Sequence, residues 1–169
     1  MSPYPPIGRW LIPRAACELT RNSVRPAGRL GAESGVFWLG TRAATSAVAV
    51  VAKPIGGSVI EEPWRWSVAA ELYAAAAVYA KPLGLSLLAV VHTHLSTRPP
   101  RMSVTDRTRG LQVPDALAVI IGSAGAEGDP ARWGWFAYRA DGYREVAAGR
   151  ITLTDGPAEF VEITIGEAP

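Results

Sequence analysis

Leu85-Ser86-Leu87-Leu88-Ala89-Val90-Val91-His92-Thr93-His94 is an apolar run that ends in a pair of histidines. The apolar part is too short for a helix of ordinary length. It predicts a strand over 85–92 that is buried on both faces, like the inner strands of a sheet covered by helices. Residues 116–123 have the same character and predict a second buried strand. Just ahead of the first, Lys81-Pro82-Leu83-Gly84 is a strong helix stop. Val68, Leu72, Ala76 and Tyr79 share one helical face, which predicts a helix capped by Ser67 and running to about Ala80.

Toward the N-terminus, residues 35–40 and 46–52 read as strands joined by a turn over 41–45. Residues 14–24 read as a helix that Pro26 ends or bends, because proline lacks the amide hydrogen. Residues 9–12 suggest a short strand, and the Pro-rich residues 1–8 an N-terminal tail. Gly and Pro make 54–63 a loop, and two prolines do the same for 96–102. Residues 103–110 predict a helix with Ser103 at its cap. Residues 133–138 and 143–146 predict a hairpin around Asp141-Gly142, and 151–154 and 160–165 further strands. Strands and helices interleave, so the expectation is an α/β (α+β) domain over 9–169, a mixed sheet with helices on its faces.

Composition narrows the class. Apolar residues make up 49% of the 169 residues and charged residues 19%, which excludes wholesale disorder. A net charge of +2 without a basic run is not the footprint of a nucleic-acid binder. Cys17 is the single cysteine, so an internal disulfide and a multi-cysteine zinc finger are both excluded. No apolar stretch reaches 18 residues, and the first residues lack signal-peptide order. The expectation is a cytoplasmic protein with no membrane or nucleic-acid partner.

His92 and His94 are the chain's two histidines. Side chains at i and i+2 on a strand share a face, so both imidazoles can converge on one ion. Asp106 follows at the start of a predicted helix, three residues after Ser103. Two imidazoles and a carboxylate make a good zinc set that leaves a fourth position for water. From the residues alone a second reading stands beside this one: an exposed histidine pair, and an Asp that serves only as a helix cap. Trp64 and Trp66 likewise read either as the wall of a groove or as core.

The pattern His92-Thr93-His94, a loop, then Ser103-Val104-Thr105-Asp106 resembles the His-x-His…Ser-x-x-Asp signature of the JAMM (JAB, MPN) metalloprotease family. Glu33, ahead of Ser34-Gly35-Val36-Phe37-Trp38-Leu39-Gly40, matches the family's early glutamate. The resemblance covers roughly 9–125. Leu95 replaces a usual proline, Val36 a frequent glycine, and the loop before Asp106 is one residue longer than usual. The resemblance implies a JAB/MPN (cytidine-deaminase-like) fold and one zinc ion held by His92, His94 and Asp106. Glu33 would act as general base and then acid, and Ser103 as donor to the oxyanion. A zinc deaminase, which also uses His and Glu, needs a Cys-x-x-Cys that the chain lacks.

The resemblance further implies a bacterial stand-alone isopeptidase that cuts after the Gly-Gly-type tail of a ubiquitin-like protein, alongside activating or conjugating enzymes, as in ubiquitin-like conjugation and antiviral systems. Release of an amino acid or adduct from a sulfur-carrier protein is an alternative, and a non-catalytic scaffold of the same fold is another. Residues 55–66, with Trp64 and Trp66, would wall the groove for the tail. Arg98, Arg101, Arg107 and Arg109 near the motif could meet an acidic partner or simply be a solvated face.

Overall fold

The computed structural model describes residues 5–165. Strand β1 (Arg9–Pro13) leads directly into helix α1 (Arg14–Arg29). Strands β2 (Gly35–Thr41) and β3 (Thr45–Pro54) follow as an antiparallel pair. A small hairpin, β4 (Val59–Glu62) and β5 (Arg65–Val68), forms a separate two-stranded sheet. Helix α2 (Ala70–Ala80) leads to β6 (Ser86–Thr93), and the short helix α3 (Val104–Arg109) to β7 (Leu117–Ile121). Strands β8 (Gly134–Arg139), β9 (Gly142–Glu145), β10 (Ile151–Thr154) and β11 (Glu159–Ile163) complete the order.

The architecture is mixed α+β, as expected. The main sheet runs β10-β1-β3-β2-β6-β7-β8-β9. Strand β11 joins the C-terminal half of β3, while β1 pairs with the N-terminal half of the same strand. Strand β6 sits in the middle, antiparallel to β2 and parallel to β7. A strand with helix-covered faces and two ladder neighbours needs apolar side chains all round, which is why Leu88–Val91 carries no polar residue.

Period-two alternation sends side chains of β2 and β6 to opposite cores. Val36, Trp38 and Val91 pack with Ala16, Cys17 and Val24 of α1. Phe37, Leu39 and Val90 pack with Leu72, Ala76 and Ala80 of α2. The α1 side is stitched by a polar relay. The indole N–H of fully buried Trp38 donates to Thr20 Oγ1 at 2.8 Å, and Thr20 Oγ1 donates to the Ala16 carbonyl at 2.7 Å.

Several local readings are corrected. Helix α1 continues through Pro26 to Arg29; the carbonyl that proline leaves without its usual partner is that of Asn22, an exposed residue that water can serve. The loop expected over 54–63 contains β4, paired with β5 from Glu62↔Arg65 to Val59↔Val68. Ser67 stands in β5 opposite Ile60, so it caps nothing; α2 starts after Ala69, with no side-chain cap. The β8–β9 turn falls on Ala140-Asp141, one residue early, because Gly142 pairs with Arg139. Of the expected tail 1–8, residues 1–4 lie outside the described residues. Ile7 is buried, and its N–H donates to Asp115 Oδ2 at 2.9 Å. Among the described residues, no helix is long and apolar enough to cross a membrane.

Candidate metal centre

The end of β6 delivers both histidines. His92 is in the strand, and His94 lies one residue beyond it, its N–H donating to Ile121 O of β7 at 3.0 Å. Thr93 between them faces the α1 side and is fully buried. There it locks onto Ser34: Thr93 N–H donates to Ser34 O at 2.9 Å, and Ser34 N–H donates to Thr93 Oγ1 at 3.0 Å. The residue separating the histidines therefore holds the backbone next to Glu33.

Asp106 comes from α3, a helix with no buried residue of its own. Its neighbours seat it. Met102, just ahead, packs with Ala118, Ile120 and Tyr143, and Tyr143 Oη donates to Leu111 O at 2.8 Å just behind. Ser103 and Asp106 form a capping box: Asp106 N–H donates to Ser103 Oγ at 3.0 Å, and Ser103 N–H donates to Asp106 Oδ2 at 2.7 Å. The cap fixes the carboxylate with both oxygens turned toward the histidines.

The three side chains converge. His92 Nε2 lies 3.1 Å from His94 Nε2 and 3.1 Å from Asp106 Oδ1, and His94 Nε2 lies 3.3 Å from Asp106 Oδ2. Among the described residues, this is the group of histidines and carboxylates whose ligand atoms, all within 4.8 Å of one another, could hold a metal ion. Burial disfavours a charged Asp106, yet hydrogen bonds from both imidazoles and from the Ser103 N–H outweigh it and hold the carboxyl far below its usual range. Burial pulls His94 down, but the hydrogen bond and charge of Asp106 win and raise it.

Glu33 is buried beside this group, its N–H donating to Glu62 O of β4 at 3.0 Å. Burial raises its carboxyl above the ordinary value; His94 and His92 pull the other way, as does the backbone N–H of Trp66. Ser103, by contrast, is exposed, its oxygen accepting at the helix cap and its hydroxyl proton free to donate elsewhere.

The two tryptophans part company. Trp64 is 78% exposed at the hairpin turn, with a left-handed φ of +67°. Trp66 is half-buried, stacks on His92 at 6.0 Å and 13°, and meets Phe37 edge-on at 6.4 Å. Sequence reasoning missed why residue 35 is glycine: a Cβ there would lie 2.6 Å from Val91 O and 2.8 Å from the Trp66 ring. It also missed Thr93, Ser34 and the Trp66 N–H. Only Thr93, placed between two same-face histidines, carried a local signal. A groove of about 330 Å³ opens beside the group, lined by Trp66, Tyr73, Val90, His92, Asp106 and Arg109.

No protein-family model matches the sequence, and no curated protein matches it either. Solved structures do resemble the fold. The solution structure of a protein from Desulfitobacterium hafniense aligns with a TM-score of 0.64 at 22% identity, over 88% of this chain and 94% of that one. The solution structure of a protein from Salinibacter ruber aligns with a TM-score of 0.53 at 24% identity, over 81% and 89%. A JAB1/MPN domain protein from Archaeoglobus fulgidus aligns with a TM-score of 0.47 at 14% identity, over 86% and 98%.

Proposed function

We propose that the chain is a zinc-dependent peptidase of the JAMM type, which hydrolyses the amide bond after the C-terminal tail of a ubiquitin-like or sulfur-carrier protein. The observation that carries this reading is the convergence of His92 Nε2, His94 Nε2 and the Asp106 carboxylate, whose Oδ1 lies 3.1 Å from His92 and whose Oδ2 lies 3.3 Å from His94, beside the buried Glu33. The donor set fits zinc. Ligands about 2.0–2.1 Å from a tetrahedral ion stand about 3.3–3.4 Å apart, close to the separations here, and one position stays open. Zinc bound there would supply Lewis acidity, which polarises a carbonyl and lowers the pKa of water from about 15.7 to about 7.

The chain's own residues do the rest. Glu33, its carboxyl raised by burial, accepts a proton from the attacking water and returns it to the leaving amine. Ser103 donates a hydrogen bond from its hydroxyl to the carbonyl oxygen as that oxygen gains charge, worth roughly 2.7–4 kcal/mol for a well-aimed donor. The outer edge of β5 has no strand partner among the described residues and borders the groove. An extended tail can pair with it, between Trp66 and α3. Trp64 at the exposed tip would meet the body of the partner.

Glu33→Gln should keep one zinc per chain and lose cleavage of a ubiquitin-like fusion. His94→Ala should lose the metal. Cleavage surviving Glu33→Gln, or zinc content unchanged in His94→Ala by elemental analysis, overturns the assignment.

A further inference from the structure

Behind Glu33 lies a polar cluster that the reaction above does not use. Lys53 Nζ on β3 donates to Ser34 Oγ at 2.5 Å, to Glu61 Oε1 on β4 at 2.6 Å, and to Gly35 O at 3.3 Å. Ser34 Oγ donates to Glu61 Oε1 at 2.5 Å. Ser34 is fully buried, and the Lys53 and Glu61 side chains are only 13% and 32% exposed. A shielded ion pair is weak support for overall stability, since desolvation offsets much of its attraction. Its worth lies in what it fixes.

Three elements meet at this cluster: the start of β2, the middle of the sheet through β3, and the β4–β5 hairpin. The hairpin has no ladder to the main sheet, and a two-stranded hairpin alone is marginal in water. Yet it carries two of the groups that hold Glu33, the Glu62 carbonyl and the Trp66 N–H. The histidines and Asp106 stand at the end of β6 and on α3, and what the hairpin lends them is the Trp66 ring stacked on His92. We infer that Lys53, Glu61 and Ser34 are positioning residues: they clamp the hairpin to the sheet, and through it they aim the Glu33 carboxylate. The inference rests on the role given to Glu33 above, but its structural half can be measured without any cleavage.

The test uses the full zinc-loaded chain with Lys53→Met, Glu61→Gln and Lys53→Arg. Amide hydrogen exchange followed by NMR should show protection at Glu33 and Trp66 falling about tenfold or more in the first two variants, with β6 unchanged. Zinc content should stay at the wild-type level. On a ubiquitin-like fusion, kcat should fall on the order of tenfold to a hundredfold with KM little changed, because a carboxylate out of aim costs rate rather than binding. Lys53→Arg should recover most of the rate. If Lys53→Met does not fold, the near-isosteric Glu61→Gln carries the test. Unchanged exchange at Glu33 and Trp66 overturns the clamp, and so does protection lost equally across β6. If the wild-type chain cleaves nothing, the peptidase reading fails while the exchange result still decides the clamp.

Discussion

Strand β6 and the β4–β5 hairpin flank the same carboxylate and are held in different proportions by apolar packing and polar contacts. Strand β6 is fixed by apolar burial on both faces and two ladder neighbours. The hairpin is fixed by an ion pair, a few hydrogen bonds, the half-buried Trp66 indole and the partly buried Val59 and Val68. The groups that could hold a metal ion stand on β6 and on the stapled helix α3. The groups that orient Glu33 stand on the hairpin. The comparison teaches that the His92–His94–Asp106 group and the setting of Glu33 rest largely on different elements, so each can be disturbed more than the other.

The sharpest way to break the contrast compares tryptophans. Trp38→Ala removes a fully buried indole together with its bond to Thr20, and the stability measured by denaturant unfolding should fall by about 3–5 kcal/mol. Trp64→Gly removes an exposed indole from a left-handed backbone position. That should leave stability unchanged or raise it by up to about 1 kcal/mol, since glycine relieves the strain. A loss of similar size in both variants would mean that the hairpin is packed like the core.

The same contrast explains what could be read from the sequence. The β6 run, its flanking stop signal and the Ser103-to-Asp106 cap are local patterns, and local patterns specify local structure. His92 and His94 follow from strand alternation alone. The hairpin had no such signature. Pro63 and Gly56-Gly57 suggested a loop, and the partners that make it a hairpin, Lys53 and Ser34, act through space. Ser67 had the chemistry of a cap but was committed to pairing with Ile60. Glu33 was legible as a residue of the motif, while its setting depends on Trp66, far along the chain.

Gly35 joins the two regions and tests whether they move together. A methyl group there would press on the Val91 carbonyl of β6 and on the Trp66 ring of the hairpin. The carbonyl is fixed in the β2–β6 ladder, so the indole must give way. Gly35→Ala should cost about 1–3 kcal/mol in thermal unfolding. It should also slow catalysis by displacing Trp66 from His92 more than it weakens zinc binding. Equal losses of zinc and rate would indicate that the hairpin and β6 yield as one unit.

The smallest effect belongs to the α1 side, where Cys17 serves as an internal gauge of how firmly that core is closed. Burial pushes its thiol from an ordinary 9.0 up to about 12. Below pH 9 the thiol is neutral in both folded and unfolded chains, so it adds nothing to the pH dependence of stability. Between 9 and 12 the unfolded chain releases this proton and the folded chain keeps it, so stability falls as pH rises, by about 1.4 kcal/mol per unit from this group. Urea unfolding of wild type and Cys17→Ala between pH 8 and 10 should therefore diverge only above pH 9, with the wild type losing more. Parallel curves would mean that the α1 face opens enough for the thiolate to reach water while the sheet stays folded. That would place the α1 core among the looser parts of the molecule, beside the hairpin rather than opposite it.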